Sequence, residues 1–100
     1  MANKRDLKKE LNFITNELYS ECLFIKFYEK EVDVQQADAL LGKIAQTQEE
    51  FASRINHTDG KENPKLVKKY YEKLIADLDK TIGEIIDELE QLRNPAKQKS

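Results

Sequence analysis

This sequence contains no tryptophan, one cysteine, two prolines and three glycines. The scarcity of cysteine, proline and glycine argues against particular kinds of fold and binding site. Cys22 stands alone, so an internal disulfide and a cysteine-rich zinc site are both excluded. The scarcity of glycine and proline argues against long loops and many tight turns. Because Gly42, Gly60 and Gly83 are isolated from one another, the sequence has no glycine-rich phosphate-binding loop.

Long runs of apolar residues are missing as well. No stretch approaches the roughly 20 apolar residues that a membrane-spanning helix requires. The opening ten residues, MANKRDLKKE, lack the apolar segment of a secretory signal peptide. We therefore expect a soluble, cytoplasmic protein that has no membrane association.

Catalytic side chains in a productive arrangement are also lacking. His57 is the only histidine, whereas a ferritin-like di-metal site requires two Glu-x-x-His motifs and a zinc site requires about three ligands. Cys22 and His57 are predicted at opposite ends of the fold, too far apart to act as a nucleophile and its base. The acidic stretch 84–90 is typical of a solvated helix face. We expect no catalytic residue, no metal site and no cofactor.

Helical periodicity dominates what the sequence does contain. It predicts helices over residues of about 4–30, 34–56 and 64–93, with apolar side chains recurring at spacings of three and four. These side chains are Leu7, Leu11, Ile14, Leu18, Cys22 and Ile25 in the first helix, Val34, Ala37, Leu41, Ile44, Phe51 and Ile55 in the second, and Val67, Tyr71, Leu74, Leu78, Ile82, Ile85, Leu89 and Leu92 in the third.

The helix boundaries carry recognisable signals. Asp33 precedes the second helix and is followed three residues later by Gln36, which is the pattern of a capping box. Pro64 suits the first position of the third helix. Because the connections are short, consecutive helices must run antiparallel. The predicted fold is all-α, an up-down-up antiparallel three-helix bundle over residues 1–94, followed by a disordered tail over 95–100.

One feature departs from a simple bundle: the first helix has a second apolar face. At about 100° per residue, this face lies opposite the core stripe. A wide stripe covered by the second and third helices is one explanation, and a contact surface for another molecule is the other. We predict the latter, with a homodimer through the first helix as its simplest form. The residues of this predicted interface are Phe13, Leu23, Phe24 and Phe27.

A second feature is the placement of charge in a chain whose net charge is only −2. The first and third helices both open with basic residues, and in the predicted bundle they begin at the same end. Helix N-termini surrounded by lysines attract anions, so a binding site for nucleic acid or an acidic partner is the alternative function. A merely solubilising surface is the other interpretation. The residues concerned are Lys4, Arg5, Lys8, Lys9, Lys61, Lys65, Lys68 and Lys69.

The opening of the chain resembles a group of short bacterial proteins of unknown function. Residues 4–14 read KRDLKKELNFI, which is similar to the K-R-x-L-K-K-x-[IL]-N-[YF]-I opening of that group. The resemblance extends through 17–18, 21–22, 38–41 and 85–87. Since that group has no established activity, the resemblance implies a helical protein of the bacterial cytoplasm and assigns no catalytic residue.

Overall fold

A computed structural model describes residues 4–57 and 64–93 of the chain. Three helices account for nearly all of these residues: α1 (Lys4–Tyr28), α2 (Val34–Asn56) and α3 (Pro64–Arg93). They pack against one another as an antiparallel three-helix bundle, which confirms the predicted all-α fold. The predicted tail, residues 95–100, lies outside the described part of the chain.

Helix α1 ends at Tyr28, two residues before its predicted end. The backbone N–H of Glu29 still donates to Ile25 O at 3.0 Å, but the chain then turns. The turn brings Val32 against the core, and it leaves Asp33 free to cap α2.

Both ends of α2 are capped. The Asp33 carboxylate accepts hydrogen bonds from the backbone N–H groups of Gln35 at 3.0 Å and Gln36 at 3.3 Å, which confirms Asp33 as the N-cap. At the other end, the backbone N–H of His57 donates to Ser53 O at 3.0 Å. These bonds satisfy polar groups that a helix terminus otherwise leaves without partners.

The core consists of two apolar clusters stacked along the bundle. Ile82 of α3 contacts both, so the two clusters form one continuous interior. The larger cluster, at the α1–α2 connection, contains Leu18, Cys22, Ile25, Ala37, Leu40, Leu41, Ile44, Ile85, Leu89 and Leu92. The smaller cluster, at the other end, contains Leu7, Leu11, Phe51, Ile55, Leu74 and Leu78.

The buried stripe of α2 is rotated slightly from its predicted position. Val34 was expected to open the stripe but is 49% exposed, whereas Leu40 and Thr47 are buried. Thr47 tolerates burial because its hydroxyl donates to Lys43 O at 2.8 Å, one turn earlier in the same helix. The stripe shifts because α2 packs against α1 on one side and against α3 on another. The side of the helix that these two neighbours bury is not centred on the predicted apolar positions.

Ion pairs between the helices show how the helices are aligned. Lys43 Nζ lies 2.8 Å from Glu88, and Arg54 Nη2 lies 3.0 Å from Asp77, so α2 and α3 are antiparallel. Arg93 Nη2 lies 2.6 Å from Glu21 Oε1, which places the end of α3 level with Glu21, seven residues before the end of α1. All these side chains are partly exposed, so each pair contributes at most about 1 kcal/mol.

Helix α3 extends beyond the other two helices at its N-terminal end. With Arg93 level with Glu21, the start of α1 at Lys4 is level with about residue 76 of α3. Tyr70 donates to Arg54 O at 3.0 Å and Leu74 is buried in the smaller cluster, so the projecting segment is 64–69, roughly 9 Å at a rise of about 1.5 Å per residue. The long dimension of the molecule, 54 Å, agrees with this stagger.

Candidate interaction surface

The predicted second face of α1 is exposed at three of its four residues. Phe13, Phe24 and Phe27 are 67%, 57% and 71% exposed, respectively. Leu23 differs, because it is partly buried and packs against the larger core cluster. We call Phe13, Phe24 and Phe27 the phenylalanine face; neither α2 nor α3 covers it.

The position of this face follows from helix geometry. Leu11, Leu18 and Ile25 repeat every seven residues and are buried in the core. Phe13 and Phe27 follow Leu11 and Ile25 by two residues, which is about 200° around the helix. They consequently point away from the core that the other two helices share with α1.

Tyr28 enlarges the exposed aromatic group at the end of α1. Its ring stacks on Phe24 with centroids 4.6 Å apart and an interplanar angle of 28°. Tyr28 is itself 72% exposed. Tyr28 follows Phe24 by four residues, and this spacing is the signal that predicts such a stacked pair on a helix.

The apolar area of the phenylalanine face is substantial for a chain of this size. A phenylalanine side chain offers about 150–250 Å², so three rings at these exposures present roughly 400 Å² to solvent. Phe13 lies about 16 Å along the helix from Phe24, with Ser20 between them. The exposed apolar area thus divides into a contiguous group of Phe24, Phe27 and Tyr28 and a separate Phe13 ring. Exposed apolar patches of a few hundred Å² on a monomer are often functional.

A cation lies beside one ring of this face. Lys26 Nζ is 5.4 Å from the centroid of the Phe27 ring, and it also forms an ion pair with Asp38 of α2. Lys26 therefore lies at the boundary between the phenylalanine face and the α1–α2 contact.

The predicted basic residues do not gather at one level of the bundle. Arg5 and Lys9 are exposed near the start of α1, and Lys8 is partly buried. The three lysines at the start of α3 are exposed on its projecting segment, roughly 12 Å or more farther along the bundle axis; these are Lys65, Lys68 and Lys69. Lys61 and the side chain of Lys4 lie outside the described residues.

Other basic groups at this end are engaged within the fold. The Arg54 guanidinium donates to Asp77 and lies 5.0 Å from the Phe51 ring. Lys73 Nζ lies 3.5 Å from the same carboxylate. The hydrogen bond from Arg54 is the main cause that holds the pKa of Asp77 below its ordinary value, and Lys73 adds to the effect.

Cys22 is a core side chain. It is fully buried and its thiol donates to Ala37 O at 3.5 Å. Burial raises the pKa of this thiol, the nearby carboxylate of Asp38 raises it further, and Lys26 opposes both. His57 lies 20 residues beyond Ala37 on α2, about 30 Å away, so the two side chains form no nucleophile–base pair.

The described residues contain neither a metal-binding cluster nor a membrane-spanning helix. Across 4–57 and 64–93, no group of three or more histidine, cysteine, aspartate or glutamate side chains converges on a point where a metal ion could bind. Within the same ranges, no helix combines the length and the apolar character needed to cross a lipid bilayer.

Comparison with known proteins identifies no relative. No protein-family model matches the chain, and no curated protein sequence or solved structure matches it at a significant level. The residues of the chain itself, and the surface that they form, are therefore the basis on which we infer a function.

Proposed function

We propose that this chain is a non-catalytic helical interaction domain that self-associates through the phenylalanine face of α1. The exposure of Phe13, Phe24 and Phe27 on a helix that already buries a full apolar stripe is the observation that carries the proposal. A partner that covered these three aromatic side chains would gain about 25 cal/mol of hydrophobic free energy for each Å² removed from water.

A second copy of the chain is the simplest partner. Two-fold pairing is the commonest way in which soluble proteins associate, and the face lies on one straight helix that can meet its own copy along its length. The rings supply about half of the roughly 800 Å² that each partner buries in a standard interface. Polar residues beside them would supply the remainder, so we expect a reversible dimer of moderate affinity.

The charged and nucleophilic groups support a role without catalysis. Several charged side chains pair with a neighbouring helix, as Lys43 does with Glu88 and Arg93 with Glu21. Cys22 is buried and its pKa is raised, whereas a reactive cysteine needs an exposed thiolate. Its free thiol fits a reducing compartment, and we propose the bacterial cytoplasm.

Sedimentation velocity over a wide concentration range tests the proposal. Wild-type protein should show a concentration-dependent shift from monomer to dimer, and Phe27→Glu should remain monomeric with unchanged helicity by circular dichroism. Val34→Glu is the matched control, because Val34 is also an exposed apolar residue but lies on α2. A wild-type chain that stays monomeric at all concentrations would rule out self-association, and another protein would then be the candidate partner for this face.

A second candidate function, binding of nucleic acid or another polyanion, is supported by one observation. Lys65, Lys68 and Lys69 are exposed in the first two turns of α3, near its N-terminus, and helix N-termini attract anions. Binding of a single-stranded RNA oligonucleotide, followed by fluorescence anisotropy, should then weaken steeply with salt. Reversing these three charges should abolish the binding, whereas Lys80→Glu, farther along α3, should leave most of it.

A further inference from the structure

The outer face of α3, opposite the side that packs on α1 and α2, carries two rows of opposite charge. A basic row lies in the first half of the helix and an acidic row in the second half, and all six side chains are exposed. The basic row repeats every four residues and the acidic row every three, so neighbours in each row are adjacent on the helix surface. The basic row is Lys65, Lys69 and Lys73, and the acidic row is Glu84, Asp87 and Glu90.

These charges differ from those at the margins of the α2–α3 contact. There, Asp77 pairs with Arg54 and Glu88 pairs with Lys43. Within the described residues, the only ion pair that either row makes joins Lys73 to Asp77, one turn apart on α3 itself. Five of the six charged groups therefore have no oppositely charged partner in the described part of the chain.

The order of the two rows also opposes the dipole of α3. A helix is stabilised by acidic groups near its N-terminus and by basic groups near its C-terminus, whereas α3 has no acidic residue in its first turn and carries the basic row in its first half. An antiparallel helix with the same order of charges would offset this arrangement, because it brings acidic groups to the start of α3 and basic groups to its end.

Two copies of α3 match their rows about a two-fold axis level with Leu78. Lys69 precedes that level by nine residues and Asp87 follows it by nine, so in an antiparallel pair each Lys69 faces an Asp87. All these residues belong to the continuous helix Pro64–Arg93, so their spacing along the axis is defined. Rows of four on one helix facing rows of three on another are typical of helices that cross at about 20°. The other two pairs, which agree with the same axis to within one residue, are Lys65 with Glu90 and Lys73 with Glu84.

Small residues lie between the two rows, where the paired helices would come closest. In the same register, Ala76 is level with Lys80 of the other copy, and Gly83 is level with Lys73. A Cβ atom at Gly83 would meet no atom within 4 Å, so packing within the chain gives no reason for a glycine in the middle of this helix. A glycine does allow close approach of a neighbouring chain.

We infer that two copies of this chain pair antiparallel through the outer face of α3, with the basic row of each copy against the acidic row of the other. A parallel pair would place Lys69 beside Lys69 and Asp87 beside Asp87, and like charges at an interface oppose association. This contact goes beyond the proposed self-association through α1, because it uses another helix and depends on charge instead of apolar area. Exposed ion pairs are individually weak, so the contact should be reversible and sensitive to salt.

Sedimentation of the Phe27→Glu chain at low salt isolates this contact, because that substitution removes the proposed contact through α1. The chain should dimerise at about 20 mM salt, and its dissociation constant should rise by more than tenfold at about 500 mM, as screening shortens the range of charge interactions. At about 150 mM salt this contact should be largely dissociated, so the contact through α1 can be measured separately there.

Charge exchange in the same chain tests the orientation. Lys69→Glu and Asp87→Lys should each raise the dissociation constant at low salt by about tenfold, since each removes two symmetric pairs and creates two repulsive ones. The double variant restores opposite charges and should return to near the starting value. Lys9→Glu and Glu17→Lys make the same changes of charge at exposed positions of α1, and they should have little effect.

The outcomes are distinct from those for the phenylalanine face. A Phe27→Glu chain that stays monomeric at about 20 mM salt would overturn the pairing through α3 and would leave the proposed contact through α1 unaffected. Unchanged dissociation constants in the two single variants would also overturn the inference. Losses in both single variants followed by recovery in the double variant would support it.

Cross-linking measures the orientation directly and leaves both charged rows intact. Leu66 and Gln91 are exposed and lie beside each other in the antiparallel pair, so a mixture of Leu66→Cys and Gln91→Cys chains should form heterodimers with a short bis-maleimide at low salt. Gln91→Cys alone should not, because its two thiols would lie about 39 Å apart. Native Cys22 is buried and does not interfere. Efficient cross-linking of Gln91→Cys with itself would establish the parallel arrangement and overturn the inference.

Discussion

The Asp77 carboxylate accepts a hydrogen bond from Arg54 Nη2 at 3.0 Å and joins α3 to α2 near the end of the bundle. Lys73 approaches the same carboxylate from one turn earlier in α3. This pair lies where α3 passes the end of α2, and the first turns of α3 lie beyond it. It also makes Asp77 a pH-sensitive contact.

Stability should fall at acidic pH partly through Asp77. Its pKa in the fold lies below the ordinary value of 3.8, chiefly because of the hydrogen bond from Arg54. The ionised carboxylate therefore stabilises the fold above the unfolded-state pKa, and this contribution is lost as pH falls through the lower folded-state pKa. The difference in urea midpoint between wild type and Asp77→Asn should narrow from about pH 7 to about pH 3. Asp79→Asn is the control, and an unchanged Asp77 difference across this range would contradict the assignment.

Replacing the two helical glycines by alanine should stabilise the protein. A Cβ atom at Gly42 or Gly83 would meet no other atom within 4 Å, so only the helix propensity changes. Each substitution should add about 1 kcal/mol, and the two should be additive because they lie on different helices. Urea unfolding should show higher midpoints with unchanged slopes. Ala39→Gly, at an exposed site of α2, should have the opposite effect, and a destabilising Gly83→Ala would show that its surroundings are misassigned.

Loss of the Asp33 cap should weaken α2. Asp33→Ala removes the acceptor for the N–H groups of Gln35 and Gln36, at a cost of about 1 kcal/mol. Asp33→Asn should be nearly neutral because an asparagine oxygen accepts the same bonds. Chemical denaturation of the three proteins measures both effects, and equal losses in the two variants would mean that charge, not capping, matters at this position.

A phenylalanine-to-alanine substitution should destabilise the protein much more at a buried site than at an exposed one. Phe51→Ala empties a fully buried site in the smaller core cluster and should cost about 3–5 kcal/mol of unfolding free energy. Phe13→Ala, on the phenylalanine face, should cost less than about 0.5 kcal/mol in the monomer while weakening the proposed dimer. Unfolding at low protein concentration separates the two effects. A large loss of monomer stability in Phe13→Ala would show that this ring packs within its own chain.

Cys22 should react slowly with thiol reagents in the folded protein. Its side chain is buried, and burial raises its pKa, so little thiolate is present or accessible at neutral pH. Reaction with a disulfide reagent should be fast only after denaturation. An introduced thiol in Ser53→Cys, at an exposed position, should react at once in the native state. Equally fast reaction of native Cys22 would indicate frequent opening of the α1–α2 contact.

Periodicity alone was sufficient to predict most of the core. Leu11, Cys22, Ile44, Leu74 and Ile85 all occupy the buried positions that spacings of three and four assign to them. A buried side chain on a helix needs neighbours one turn away, so the sequence pattern and the buried stripe must agree where a helix meets one broad apolar surface. The Asp33 cap was predictable for a similar reason, because its contacts lie within four residues.

Two threonines show where that reasoning fails. Thr15 and Thr47 are buried although neither belongs to the apolar pattern. Each hydroxyl donates to a carbonyl one turn earlier, at 2.8 Å from Leu11 O and from Lys43 O, so burial leaves no polar group without a partner. Whether such a position is buried depends on which neighbouring helix covers it, and the local sequence does not contain that information.

The sequence by itself determined the three helices, their antiparallel order and the presence of a second aromatic face on α1, because these depend on residues within a few turns of one another. Tertiary structure alone decided where α1 ends, that Leu23 packs inward, and that α3 projects beyond Lys4 and Asn56. These features depend on how side chains from distant segments fit together. The packing of distant segments leaves no periodic pattern in the sequence. It is this packing that separates the lysines of α1 from those of α3 and leaves the phenylalanine face uncovered.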